Sequence, residues 1–182
     1  MNTIKHLMRV VLFVGIAFTF HLPIFNSAQA QLNIPGTTFS FSLNNEEWRY
    51  LHYFKDADGA NVYYYCYVGE VLLNEQGDTV LPTLRIYVRE NYASDVYELA
   101  YDRYVDQPFQ SLLEYTKGDG LPKQGGLGYE GIYTKPSDGH DYRFMMTYFK
   151  ERRTIVEFRL ETTRETYEEM EVKFRNILRS IH

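Results

Sequence analysis

Val62-Tyr-Tyr-Tyr-Cys-Tyr-Val68 sets four tyrosines around the only cysteine of the chain. Alternation sorts the stretch into two rows, Val62, Tyr64, Cys66 and Val68 on one side and Tyr63, Tyr65 and Tyr67 on the other. Successive side chains of a β-strand point to opposite faces, so one row is mixed apolar and the other phenolic. Such a segment suits a central strand with both faces at least partly covered. Tyrosine fits the less fully covered face, because its ring buries while its hydroxyl keeps water or a polar partner. The stretch therefore reads as the wall of a sheet and not as a thiol–phenol reaction centre. Cys66 has no basic sequence neighbour to lower its pKa, and a single cysteine closes no disulfide within its own chain. It reads as a small buried hydrophobe.

Toward the N-terminus, Phe39, Phe41 and Leu43 alternate with Thr38, Ser40 and Ser42 as a half-buried strand. A polar turn at residues 44–47 leads to an aromatic strand from Trp48 to Phe54, and Lys55 to Gly59 closes a hairpin into the tyrosine stretch. Toward the C-terminus, Gln76-Gly77-Asp78 is a turn. Leu84, Ile86 and Val88 then alternate with Arg85, Tyr87 and Arg89, a strand with one apolar and one amphipathic face. The period changes at Ser94: Asp95 with Glu98 resembles a capping box, and Val96, Leu99, Ala100, Arg103 and Tyr104 follow at helical spacing up to Pro108. Phe109 to Tyr115 fits a short helix or a strand equally. Residues 117–128 are glycine-rich.

Strands are predicted at Tyr129–Thr134, Tyr142–Phe149 and Thr154–Leu160, the last with Val156, Phe158 and Leu160 on one face and Glu157 and Arg159 on the other. Thr162 with Glu165 makes a second capping box. Tyr167, Met170, Phe174, Ile177, Leu178 and Ile181 then stripe one side of a closing helix. Hairpin-linked strands imply an α+β fold, with a mainly antiparallel sheet of about six or seven strands and helices packed on it.

The Phe39-x-Phe41-x-Leu43 strand leading to Trp48, the meander of hairpins, the mid-chain helix and the terminal Phe174-x-x-Ile177-Leu178-x-Ser180-Ile181 helix resemble the PsbP-like domains. The resemblance spans about residues 36–182 and rests on packing motifs. It implies an α/β/α sandwich with an antiparallel sheet, and it carries no functional residue onto this chain.

The first thirty residues have the three-part layout of a secretory signal: basic Lys5 and Arg9, an apolar run from Val10 to Phe20, and small residues at Ala28-Gln29-Ala30. The run falls short of the roughly 20 residues a membrane span needs. Export to the periplasm or outside the cell is expected, with residues 31–182 as one domain and no membrane span after signal removal. The whole chain carries a net charge of −5, and two of its cations leave with the signal. An acidic domain without a concentrated basic run is poorly suited to nucleic acid.

Chemical motifs fail on spacing. Asp56-x-Asp58-Gly59-x-Asn61 resembles the start of a calcium loop, but Tyr67 stands where the bidentate Glu belongs. His52, His140 and His182 have no zinc-ligand spacing. Gly120 to Gly125 has the gap of a phosphate loop, yet Gly126 and Leu127 occupy its Lys and Ser/Thr positions. No catalytic residue, cofactor or metal is expected. Seventeen tyrosines are too many for one small core, and exposed tyrosines suit binding surfaces. The expected function is a non-catalytic binding or assembly domain. Its expected contact surface for a protein partner comprises Lys117, Leu121, Lys123, Leu127 and Tyr129 around the glycine-rich loop with Tyr63, Tyr65 and Tyr67. The alternative is a carrier for a small apolar or sugar ligand held between sheet and helix.

Overall fold

A computed structural model of the chain describes residues 29–115 and 126–182. It opens on a hairpin, β1 (Gln29–Asn33) against β2 (Ser40–Asn44), which forms a two-stranded sheet of its own. A second hairpin follows, β3 (Trp48–Lys55) with β4 (Asn61–Tyr67), and then a small excursion, β5 (Leu72–Leu73) with β6 (Thr79–Val80). Strand β7 (Thr83–Arg89) leads to helix α1 (Val96–Asp106), and β8 (Gln110–Tyr115) follows it. The meander β9 (Leu127–Thr134), β10 (Asp141–Glu151) and β11 (Thr154–Thr163) ends in helix α2 (Tyr167–Arg179). Seven strands make the main sheet in the order β3-β4-β7-β11-β10-β9-β8, and each pairing is antiparallel.

Parity decides what each face buries. Leu84, Ile86 and Val88 of β7, Val156, Phe158 and Leu160 of β11, and Met145 and Phe149 of β10 meet Tyr167, Met170, Phe174, Ile177 and Leu178 of α2 in one buried cluster. Phe41 and Leu43 of β2 join the same layer. Beyond α2, His182 exchanges backbone hydrogen bonds with Ser40, at 2.9 and 3.0 Å, so the chain end is tied to β2. On the opposite face Val96, Leu99 and Ala100 of α1 pack over Leu127, Met146, Tyr148 and Ile155. The result is helix, sheet, helix.

The opening stretch divides as its alternation predicts. Tyr63 and Tyr65 lie opposite Ile86 and Leu84, on the α2 side, whereas Val62 and Cys66 lie opposite Tyr87 and Thr83, on the α1 side. Tyr67 is buried against Trp48, with ring centroids 5.6 Å apart, and coverage fades toward the β3 edge, where Tyr63 and Tyr65 are half-buried.

Several elements depart from expectation. The Phe39–Leu43 strand pairs with β1 and not with the main sheet, whose seventh member is β8. Residues 110–115 are thus strand, because β9 offers them a ladder of backbone partners. Asp95 does cap α1, accepting from the backbone N–H of Tyr97 and Glu98 at 2.8 and 2.9 Å. Thr162 does not cap α2. It belongs to β11, where it pairs with Arg143, and the helix begins only at Tyr167. A β-branched residue with a strand partner stays in the strand. Its hydroxyl instead meets that of Thr166 at 2.7 Å.

Candidate functional site

The middle of the sheet is apolar on one face only. Strands β7 and β11 are neighbours, and their other face carries Arg85, Tyr87 and Arg89 beside Glu157, Arg159 and Glu161. Tyr87 lies opposite Glu157 and Arg85 opposite Arg159, so a stripe of ions runs through the centre of the α1 side. Helix α1 covers only part of it. The first half of α1 docks through its apolar residues, and the second half reaches the stripe through Arg103.

The ions are paired with one another. Arg89, 4 % exposed, donates to Glu157 at 2.9 Å and lies 3.4 Å from Asp56. Arg103 contacts Asp56 at 3.3 Å, Asp58 at 3.2 Å and Glu157 at 3.5 Å, and both guanidiniums flank the ring of Tyr87. Arg159 bonds Glu161 at 2.7 Å and donates to the side-chain oxygen of Gln107, just past α1, at 2.9 Å. Arg85 holds the other oxygen of Glu161 at 3.0 Å, and the Tyr133 hydroxyl donates to Glu161 at 3.1 Å. Buried charge is tolerable only with such partners. Asp56 is the turn residue its sequence predicts, accepting from the backbone of Asp58 and Ala60, and its second oxygen is spent on arginines.

The two buried glutamates titrate in opposite directions. Burial pushes the Glu157 carboxyl up, against the pull of Arg103 and Arg159. At Glu161 burial acts the same way, but Arg159 and Arg85 outweigh it and hold the carboxyl below its ordinary range. Burial and the charge of Glu161 push the Tyr133 phenol up to about 12. An unfolded Glu titrates near ~4.3. The Glu161 contribution to stability is therefore full above that value and is lost as pH falls through the lower folded value. The Glu157 contribution is full below it and is lost as pH rises through the higher folded value. Glu161→Gln is expected to flatten the acid limb of the stability curve and Glu157→Gln to steepen it. Urea unfolding from about pH 3 to 7 checks both slopes.

Among the described residues, three clefts open on this side. One of about 400 Å3 lies between the C-terminal end of α1 and the sheet, lined by Tyr87, Gln107, Phe109, Tyr133, Phe144 and Arg159 among others. Another, of about 340 Å3, lies beyond the Arg85–Glu161 pair and includes Tyr64, Cys66, Lys135, His140 and Tyr142. The third, about 510 Å3, separates α1 from the β3–β4 turn. Gly131 is required beside the first: a Cβ there would stand 2.6 Å from the Phe144 ring and 2.9 Å from that of Phe109.

The described residues of the expected contact surface are not brought together. Tyr63, Tyr65 and Tyr67 belong to β4 and face α2, whereas Leu127 and Tyr129 belong to β9 and face α1. Four strand spacings separate β4 from β9, roughly 19 Å at ~4.8 Å each. Leu127 is fully buried, and Tyr129 is half-buried against Phe109. Lys117, Leu121 and Lys123 lie outside the described residues. Cys66 is buried, 6 % exposed, in the wall of the 340 Å3 cleft that Arg85 also lines. His52, on edge strand β3, and His140, in the β9–β10 turn, stand far apart in the strand order. Among the described residues no three His, Cys, Asp or Glu side chains are grouped to hold a metal.

The tyrosines gather elsewhere, at the β3 edge. After buried Trp48, β3 is exposed from Arg49 to Lys55. Tyr50 stacks edge-on against Tyr65 at 5.4 Å, and Tyr53 lies 5.5 Å from Tyr63. The register shifts between Tyr50 and His52, which leaves Leu51 exposed on the irregularity.

In sequence, no family model and no curated protein matches the chain. In structure, it is similar to the Ran-binding protein Mog1p of Saccharomyces cerevisiae, with a TM-score of 0.51 and 10 % identity over 85 % of this chain and 94 % of that one. It is similar to PA94, a Pseudomonas aeruginosa protein of unknown function, with a TM-score of 0.50 and 8 % identity over 84 % and 94 %. Cyanobacterial PsbP (CyanoP) from Synechocystis follows at 0.48 and 11 % identity, over 86 % and 92 %. The chain shares the fold of Mog1p. At these identities the likeness is one of fold.

Proposed function

We propose that the protein is an exported, non-catalytic binding or assembly domain that contacts a protein partner through the aromatic edge of its sheet. The observation that carries this is β3, an edge strand that leaves Tyr50, Leu51, Tyr53 and Phe54 exposed beside half-buried Tyr63 and Tyr65. Tyrosine gives a large, stiff contact area at small entropic cost, and a sheet edge offers backbone donors and acceptors to an incoming segment. Export is supported by the signal-like layout of residues 1–30. Among the described residues no helix is long and apolar enough to cross a membrane. Mog1p shares the fold and is a Ran-binding protein, but a shared fold does not carry a partner across.

Affinity capture from the cell-envelope fraction tests the proposal, with the wild type and a Tyr50→Ser/Tyr53→Ser variant side by side. Each tyrosine at the centre of an interface is worth about 2 kcal/mol, so the double variant is expected to weaken partner binding by about 4 kcal/mol, on the order of several hundredfold. Both side chains are about half exposed, at 48 %, so the melting temperature is expected to stay close to that of the wild type. Equal recovery by the two proteins, or nothing reproducible with the wild type, overturns the proposal.

A further inference from the structure

The 400 Å3 cleft beside α1 has the size of a small-molecule pocket and two unlike walls. One wall is aromatic: Phe109 meets Phe144 edge-on at 5.0 Å, Tyr133 lies 6.0 Å from Phe144, and Met146 adjoins them. The other wall is polar, with Gln107, Arg159, Arg103 and Glu157. The buried ions of that wall are committed, Arg159 to Glu161 and Gln107, Arg103 to Asp56, Asp58 and Glu157. Solvent-exposed Asp106 stands among the lining residues.

This combination selects a ligand class. An anion would have to draw a guanidinium from its carboxylate and would meet Asp106, and a cation would have to draw away Glu157. Breaking a buried pair is expensive in either case. A purely apolar ligand would cover the polar wall and offer it no hydrogen bond in return. A neutral ring with hydroxyls escapes both penalties, since hydroxyls donate and accept without displacing an ion, and its C–H face packs on aromatic rings. We propose that this cleft binds a neutral carbohydrate ring, its flat face on half-buried Phe109 and its hydroxyls on Gln107 and Arg159. The site is independent of the β3 edge, from which it is separated by intervening strands.

Titration calorimetry of the purified protein tests the proposal, using glucose, N-acetylglucosamine and their disaccharides as probes. Glucuronate and cyclohexanol serve as charged and apolar comparators. A neutral sugar is expected to bind saturably and more tightly than either comparator. Phe109→Ala and, separately, Gln107→Ala are each expected to weaken that binding about tenfold or more, whereas Val172→Ala, at an exposed position of α2, leaves it unchanged. Circular dichroism confirms that each variant is folded, and the Gln107 variant leaves the aromatic packing intact should the Phe109 variant unfold. Preference for glucuronate or cyclohexanol, no saturation by any neutral sugar at millimolar concentration, or full affinity in a folded Gln107→Ala protein overturns the assignment.

Discussion

Glu157→Ala is expected to cost about 3–5 kcal/mol of folding stability, the range for removing one member of a buried ion pair. Glu157 is 1 % exposed and its partner Arg89 only 4 %, so the guanidinium left behind stays in a largely buried site. Its remaining counter-ion, Asp56, stands at 3.4 Å and is shared with Arg103. The cost comes from the stranded charge and not from a lost attraction, which makes the double substitution informative. Arg89→Met with Glu157→Leu removes both ions and fills the space with apolar atoms, and such replacements are often neutral or stabilising. The double variant is therefore expected to recover most of the loss, visible as a urea midpoint that returns toward the wild type at unchanged slope. The site responds differently from the core, because Glu157 also lines the cleft and contacts Arg103, which fastens the second half of α1. Both variants are expected to loosen that half of the helix, as faster amide exchange at residues 101–106. A single variant within about 1 kcal/mol of the wild type would show that water reaches Arg89 and that the stripe is not a buried network.

Much of the fold is legible because alternation is a local property. Residues 62–68, 84–89 and 154–160 each sort into two rows without knowledge of any partner, and the structure places those rows on the two faces as sorted. What lies side by side is not local. Arg85, Tyr87 and Arg89 look like a solvated face while β7 is read alone. Only pairing with β11, far along the chain, sets them against Glu157, Arg159 and Glu161 and makes an ionic interior. The signal existed as two short strands of opposite charge character, but strand order is required to join them. The same missing order led tyrosines of β4 to be grouped with the flank of the glycine-rich loop, from which three intervening strands separate them. Thr162 shows the other limit: a cap and a strand end have the same composition, and the neighbouring ladder of β10 decides between them.

Phe174→Ala is expected to cost about 3–5 kcal/mol, the usual range for emptying an aromatic site in a packed core. Phe174 has no exposed surface, and its ring lies 6.2 Å from both Trp48 and Tyr167. It sits midway along α2, between Met170 and Ile177, so it holds the helix on the sheet at the place where leverage is greatest. Little local rearrangement can close the gap, because the walls are the sheet itself and the anchored Trp48–Tyr67 pair. Val172 on the same helix is 66 % exposed, and Val172→Ala should stay within about 0.5 kcal/mol, which separates lost packing from changed helix propensity. Trp48 is the only tryptophan of the chain and is 4 % exposed, so it reports the cavity directly. Its emission is expected to shift toward the red in folded Phe174→Ala as water gains access, and to stay unchanged in Val172→Ala. A cost below about 1 kcal/mol with unshifted emission would mean that α2 does not lie on the sheet at Trp48, and the core on that face would have to be sought against another element.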